Sequence, residues 1–444
     1  MKQAEIKSKK STEYPLATYF GYYNQLLDTK MGKALNLRKI SEMFVYQGTK
    51  NGIKLATAAS RVFKGNGKEN PERLSNKSKS DLFDLNYNDE QIMIQETLQQ
   101  FAIKMRNAAE KIDDKFEIDK ALWQEFNELQ LAYMQIPESF GGMMKEKSTV
   151  TQMMMVETLA HGDLGQALAF FTPHSVLNAI VKWGSTAQQQ DLIPAFLLEN
   201  PEIATIAINE PSVLFSPYEL NTKAVKRGNE FSLTGLKNMV PLGTSAAYFL
   251  IAAQTEDNGI QIFIVDKNSK GLSVSIERGM GLNAAGLCAV ELKDVIVDGS
   301  AVLGGSEGIN YPEFVNYCKL GWCALAVGCC QAILDYVIPY ANDRYAFGEP
   351  ISNRQAVAFM ISDIKLELES MRMLTQRATA KAEQGLDFAR EVYLAHIMCS
   401  EKGMQIGSNG VQLLGGHGFI RDFPVERWYR DLRAVAIAAN GLHL

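Results

Sequence analysis

Residues 410–431 read GVQLLGGHGFIRDFPVERWYRD, and this stretch sets the reading of the chain. Val411, Leu413 and Leu414 close an apolar helical run over 388–414. Gly415, Gly416 and Gly418 follow; glycines so placed end a helix, permit positive φ and let backbone approach a ligand closely. Pro424 then opens a short helix over 424–438. Upstream, two longer helical patterns span 318–343 and 352–383. The first is apolar nearly all round, so it belongs at the centre, with a kink expected at Pro339. Residues 312–444 thus read as a four-helix bundle.

Further upstream the period changes. Over 204–311, ATIAINEP, EFSLTGLKNMV, AYFLIAAQT, IQIFIVDK, LSVSIERG and AVELKDVIV are short strands bounded by Gly and Asn turns, as in a small β-sandwich or barrel. Before them, 81–203 is helical, and Asn88-Asp89-Glu90 offers N-cap chemistry for its first helix. The fold class is therefore α+β: an N-terminal helical domain, a central β-domain and a C-terminal helical bundle.

Residues 1–80 stand apart. They carry 16 Lys+Arg and 6 Asp+Glu, a net of +10, against 29 and 44, a net of −15, in the remainder. Helical spacing recurs over 14–63, and 64–80 is a polar linker. Such an arm is either a solvated extension or a contact for an acidic surface or partner. It has no nucleic-acid-binding motif, so no nucleic acid is expected. Its start lacks the apolar core of a secretory signal, and no run of eighteen apolar residues predicts a membrane span. The six cysteines include no CxxC pair and lie in apolar sequence, so packed thiols, no metal site and a cytoplasmic setting are expected.

Three stretches together resemble the acyl-CoA dehydrogenase family over about 82–444. MQIPESFGG (134–142) is similar to its P-E-x-[FY]-G-G loop. DRYAFGEPISNRQAVAFMISDI (343–364) is similar to its R-x-x-F-G…Q helix pair. The 410–431 segment is similar to its G-G-x-G…P-V-E-R…R-D signature. The resemblance implies FAD as cofactor, contacted by Arg344, Phe347, Gln355, Gln412, Gly415 and Gly416 from a neighbouring subunit, hence a homodimer or homotetramer. Arginine offers a donor fork to phosphate, and glycines admit the cofactor. It further implies an acyl-CoA substrate, oxidised to the 2,3-enoyl form with hydride transfer to FAD, and an electron-transfer acceptor.

The sequence departs from the family at the reacting centre. The catalytic glutamate's two family positions are Ala439 and Cys318 here. Glu313, five residues before Cys318, and His443, near a terminus where chains fray, are the substitutes at hand. Where the family has T-E-P-x-A-G-S-D this chain has Asn209-Glu210-Pro211-Ser212-Val213-Leu214-Phe215-Ser216, and its W-I-T reads Met239-Val240-Pro241. Proline brings neither a hydroxyl nor an N–H. The readings left open are an acyl-CoA dehydrogenase with a displaced base, a catalytically silent binding or assembly subunit, and another flavin-dependent oxidation on the same fold. Elsewhere, His161 reads as a helix-end residue, His174 and Met153–Met155 as core, and His417 as either a cofactor contact or a packed ring.

Overall fold

The computed structural model describes residues 86–145, 147–439 and 441–444. The helices expected over 14–63 and the linker over 64–80 lie outside the described residues.

The N-terminal domain starts where the sequence places it. Asn88 Oδ1 accepts the Gln91 N–H at 2.8 Å and Gln91 Oε1 accepts the Asn88 N–H at 2.9 Å, a reciprocal cap that satisfies two orphan donors. Helix α1 then runs Asp89–Lys115. Leu98, Phe101, Ala102, Met105, Ala109 and Ile112 fall on one face and are buried. Helices α2 (Lys120–Glu128), α3 (Thr149–Gly162), α4 (Leu164–Trp183) and α5 (Thr186–Leu192) follow. Met153, Met154 and Met155 are core, as is the Phe126–Phe170 ring pair at 4.6 Å.

Strands β1 (Ala204–Ala207), β2 (Lys223–Arg227), β3 (Glu230–Val240), β4 (Tyr248–Thr255), β5 (Ile260–Asp266), β6 (Leu272–Ile276) and β7 (Cys288–Asp298) join in one sheet. Its order is β1-β4-β2-β3-β7-β6, with β5 on β4. The β1–β4 and β2–β4 pairs are parallel and the other pairs antiparallel. The expected central β-domain is thus built from one mixed seven-stranded sheet. The β3–β7 register shifts between Lys237 and Val240, and Met239 has a φ of +52°. This irregularity lies just ahead of Pro241, which follows the end of β3 at Val240.

The C-terminal bundle comprises α6 (Tyr311–Asp343), α7 (Gln355–Glu383), α8 (Ala389–Leu414) and α9 (Val425–Leu432). Hairpin strands β8 (Tyr345–Ala346) and β9 (Glu349–Pro350) link α6 to α7. The central α6 continues as one helix through Pro339. It packs so close to α3 that a Cβ on Gly328 would meet Glu157 O at 2.1 Å. Helices α4 and α6 are long and apolar enough to cross a membrane, with mean hydropathy 1.2 and 1.5, yet those windows are 89% and 78% buried inside the protein. Their apolar surface is core. The six cysteines are free and buried. His161 sits in the last turn of α3 and meets Asp335 at 2.9 Å.

Helix α9 clamps the layers. Arg427 pairs with Asp163 at 3.0 Å, and Arg430 pairs with Asp113 at 2.8 Å. Asp431 accepts the Leu282 N–H at 2.6 Å, and Arg430 donates to Met280 O at 3.1 Å. One short helix thereby grips α1, the start of α4 and the loop before β7. Gly281 must be glycine there, because a Cβ would meet the Arg430 carbonyl carbon at 2.6 Å. Burial raises the Asp431 carboxyl, and the Asp163 charge adds to the rise. The Arg427–Asp163 pair is buried on both sides, whereas Arg421–Asp114 is 60% and 58% exposed. Arg427→Met leaves Asp163 buried without its cation and should cost about 3–5 kcal/mol. Arg421→Met should cost under about 1 kcal/mol. Denaturant melts of the two variants check the difference.

Candidate functional site

The residues assigned to the cofactor by resemblance lie at one end of the bundle. Arg344 follows the end of α6 and Gln355 begins α7. Phe347 caps the hairpin with a φ of +55° and is 94% exposed. Gln412, Gly415 and Gly416 sit at the end of α8 and are exposed. Tyr340 draws the two helix ends together, donating to Leu414 O at 3.3 Å and meeting His417 Nδ1 at 2.9 Å. His417 stacks on Phe423 at 4.6 Å, so its ring is packed within this end of the bundle. Glu349, one possible partner for Arg344, is paired with Arg354 at 3.0 Å. A Cβ on Gly415 or Gly416 would meet nothing within 4 Å. An exposed guanidinium, an exposed aromatic ring and open glycine backbone are what a phosphate-bearing dinucleotide needs from one side.

The opposite side of the site is built differently. Ala439 and Cys318 fall in one buried apolar cluster with Ile208, Leu177 and Phe314. The two positions where the family places its base therefore converge, but on apolar packing. Burial pushes the Cys318 thiol far above the ordinary range, and the adjacent Lys319 only partly offsets this. Glu313 stands in the first turn of α6, a third exposed, paired with Lys182 at 3.1 Å.

His443 is not at a frayed end. It is fully buried, between the Phe314 and Tyr317 rings at 4.8 and 5.0 Å. Trp183 Nε1 donates to His443 Nε2 at 3.2 Å. Tryptophan is a donor only, so the neutral ring carries its proton on Nδ1 and has no free lone pair for a substrate. Burial first, then Lys147 and Lys182, hold its pKa well below the ordinary 6.5. His443 is thus a packed anchor, which corrects its candidacy as a base.

The segment around it enters the helical interior. Asn178 Nδ2 donates to His443 O at 3.1 Å and shares an amide pair with Gln152. Leu442 is buried against Gly321, where a Cβ would come within 2.8 Å of the leucine Cβ. Lys147 Nζ donates to Leu444 O at 3.1 Å. At the sheet edge, Asn209 Nδ2 donates to Ile437 O at 2.8 Å while its Oδ1 accepts the Ala439 N–H at 2.7 Å. Pro241 lies against Gly441, so close that a Cβ there would meet the proline Cγ at 2.5 Å. The two departures read from the sequence, Asn209 and Pro241, therefore meet the chain's own Ile437, Ala439 and Gly441.

The fit to FAD divides accordingly. The outward set suits it; the inward positions do not, because Asn209 is already engaged by Ile437 and Ala439 and Pro241 lies against Gly441. Next to them, Glu210 accepts from the Asn221 and Thr222 backbone at 2.6 and 2.9 Å and pairs with Lys237 at 2.8 Å. Burial draws the Lys237 ammonium down to about 8. Sequence reasoning missed this pair, although a lone lysine inside the apolar strand LTGLKNMV was its signal. Val213 and Leu214, where the family carries small residues, are 94% and 95% exposed.

Gly441 has a φ of +79°, which adds strain to the clash with Pro241. Gly441→Val should cost at least about 1–3 kcal/mol and release 437–444, seen as faster amide exchange there than in α8. Acid should act on the same packing. His174 and His396 are held by burial at about 4, and His443 well below its ordinary value. These folded values lie below the unfolded one, so unfolding takes up protons. Their stability contribution is present above about 6.5 and is lost as pH falls toward about 4. Melting temperature should drop over that window, and His443→Leu should flatten the drop.

The comparisons match this architecture. The N-terminal, middle and C-terminal domain profiles of acyl-CoA dehydrogenase match residues 88–199, 205–295 and 311–441. A probable short/branched chain specific acyl-CoA dehydrogenase of Dictyostelium discoideum is 28% identical over 77% of this chain and 84% of its own. An acryloyl-CoA reductase (NADH) of Anaerotignum propionicum is 27% identical over 78% and 90%. The structure of butyryl-CoA dehydrogenase from Megasphaera elsdenii superposes with a TM-score of 0.73 at 25% identity, covering 80% of this chain and 96% of that one. Helices, mixed sheet, helices and the α9 clamp thus place this chain in the acyl-CoA dehydrogenase family of FAD-dependent oxidoreductases.

Proposed function

We propose that this chain is a non-dehydrogenating subunit of an acyl-CoA dehydrogenase assembly. Its Arg344–Gly416 cradle contributes to FAD held by a neighbouring subunit, and its own reaction chamber is filled by 437–444. The observation that carries this reading is the grip of Asn209 on Ile437 and Ala439, next to Pro241 on Gly441. Dehydrogenation removes an α-proton from an acyl thioester, which requires a base of suitable pKa at the reacting carbon. Ala439 offers a methyl group, Cys318 an un-ionised thiol, Glu313 a carboxylate tied to Lys182, and His443 a ring with its lone pair engaged. FAD, when bound, supplies the hydride acceptor; the cradle's part is to bind and orient it. Relatives named as acyl-CoA enzymes support acyl-CoA as the ligand class of the assembly.

A second reading has its own support in the retained cradle: the chain itself carries out a FAD-dependent oxidation of an acyl thioester once 437–444 moves out. Anaerobic titration of the FAD-reconstituted protein with acyl-CoAs of several chain lengths separates the two. The proposed subunit shows no bleaching of the flavin band, whereas bleaching by any acyl-CoA would establish the second reading. Ala439→Glu alone should restore no oxidation, because the chamber stays filled; a gain of about 10²-fold or more would mean that only the base was missing. Arg344→Glu should weaken flavin retention at least about tenfold through loss of a charge-assisted contact, at unchanged melting temperature.

A further inference from the structure

Two cavities, of about 480 and 500 Å³, adjoin along helix α2 and share Trp123, Gln124 and Asn200 in their walls. Glu128, Glu199 and Glu202 line the first, and no described lysine or arginine does. Lys115, Lys120 and Arg278 line the second, where Glu117 is the one described carboxylate. We propose that the two cavities form one binding site for a zwitterion. Its organic ammonium sits in the acidic cavity, its carboxylate in the basic one, and an alkyl link between them crosses Trp123.

Helix α2 supplies the axis of this site. Lys120, Trp123, Gln124, Asn127 and Glu128 recur at helical spacing, so they share one face, and each lines at least one of the cavities. Lys120 opens the helix and Glu128 closes it. That order opposes the helix dipole, which favours an anion at the N-terminus and a cation at the C-terminus. Asp119 meets part of the demand at the N-cap, accepting from the Ala121 and Leu122 N–H groups at 2.8 and 3.4 Å. Glu277, next to Arg278, accepts the Met239 N–H at 2.6 Å. Glu128 accepts only a neutral donor, Gln124 Nε2 at 3.2 Å. Among the described residues, none of the three acids in the first cavity and none of the three cations in the second is in an ion pair. A ligand carboxylate near Lys120 and a ligand ammonium near Glu128 satisfy the side chains and the dipole together.

The walls suit such a ligand. Trp123 stacks on Phe170 at 5.6 Å and 21°, which fixes the indole where the cavities meet. Tryptophan is the best ring for an ammonium. Tyr133 adds a second ring to the acidic cavity and is held by its hydroxyl, which donates to Leu197 O at 3.4 Å. In the basic cavity Arg278 lies 4.7 Å from the Phe116 ring, which orients its planar fork for a carboxylate. Leu242 and Ile276 there give an alkyl link apolar contact. The nine residues of α2 rise about 12 Å, so side chains leaning in from both ends meet charges about 6–10 Å apart.

The test is calorimetric titration of the full chain with trimethylammonio-carboxylates of graded spacer length, and with tetramethylammonium and hexanoate as the separate halves. A spacer that sets the charges about 6–10 Å apart should bind at least about tenfold tighter than either half. Glycine betaine, with its charges too close, should bind no tighter than tetramethylammonium. A neutral tert-butyl group in place of the trimethylammonium should cost about tenfold. Glu199→Gln should weaken the zwitterion and tetramethylammonium but not hexanoate. Arg278→Gln should weaken the zwitterion and hexanoate but not tetramethylammonium. Both side chains are exposed, so both variants should keep the melting temperature. An affinity indifferent to spacer length, no gain over the halves, or a tert-butyl analogue that binds equally well would overturn the proposal. So would losses that fail to divide between the two variants.

Discussion

Everything in this fold hangs from the buried ion pair between Arg427 and Asp163. Asp163 caps α4 through the Gln166 N–H at 3.0 Å and at the same time receives Arg427 from α9. A charge pair removed from water holds only with good geometry and further hydrogen bonds. Here the cap supplies one, and Arg430 and Asp431 continue the network to Asp113 and Leu282. The clamp fixes where α9 ends. That in turn fixes where 437–444 begins and sends it inward between the sheet edge and α6.

The inward segment behaves as an intramolecular ligand. Asn209 reads its backbone with both ends of one amide, Asn178 takes a carbonyl, and Gly321 and Gly441 give it room by having no side chain. A substrate would have to replace all of these contacts at once. The exposed cradle at the far end of the bundle makes no such commitment. One chain thus combines a finished interior with an unfinished surface, and this asymmetry is the main functional content of the structure.

Much of the frame was legible in the sequence because it rests on local rules. The Asn88 cap, the helical stripe of α1, the period change at Ala204 and the glycine stop after Leu414 each follow from backbone chemistry within a few residues. The losses at Ala439, Cys318, Asn209 and Pro241 were also legible, since they are identities at named positions. What replaced the missing groups was not. The Glu210–Lys237 pair spans two strands, and the Trp183–His443 contact joins residues 260 apart. Spacing carries no information about such partners. His443 was expected to fray for its place in the chain, yet packing, not position, decides order.

Helices α4 and α6 have a consequence for the making of the protein. As nascent segments they present the length and apolarity that membrane-insertion machinery selects, and the folded state hides this only after their neighbours have arrived. What opposes misinsertion lies within them. Gln166, His174 and Asn178 interrupt α4, and Lys319 and Asp335 interrupt α6. In hydrocarbon each such side chain is costly, so these residues hold the chain in water until it can fold. Asn178 and His174 thus serve twice: in the finished molecule they fasten His443 and Gln135, and before that they mark the segment as one that does not belong in a bilayer.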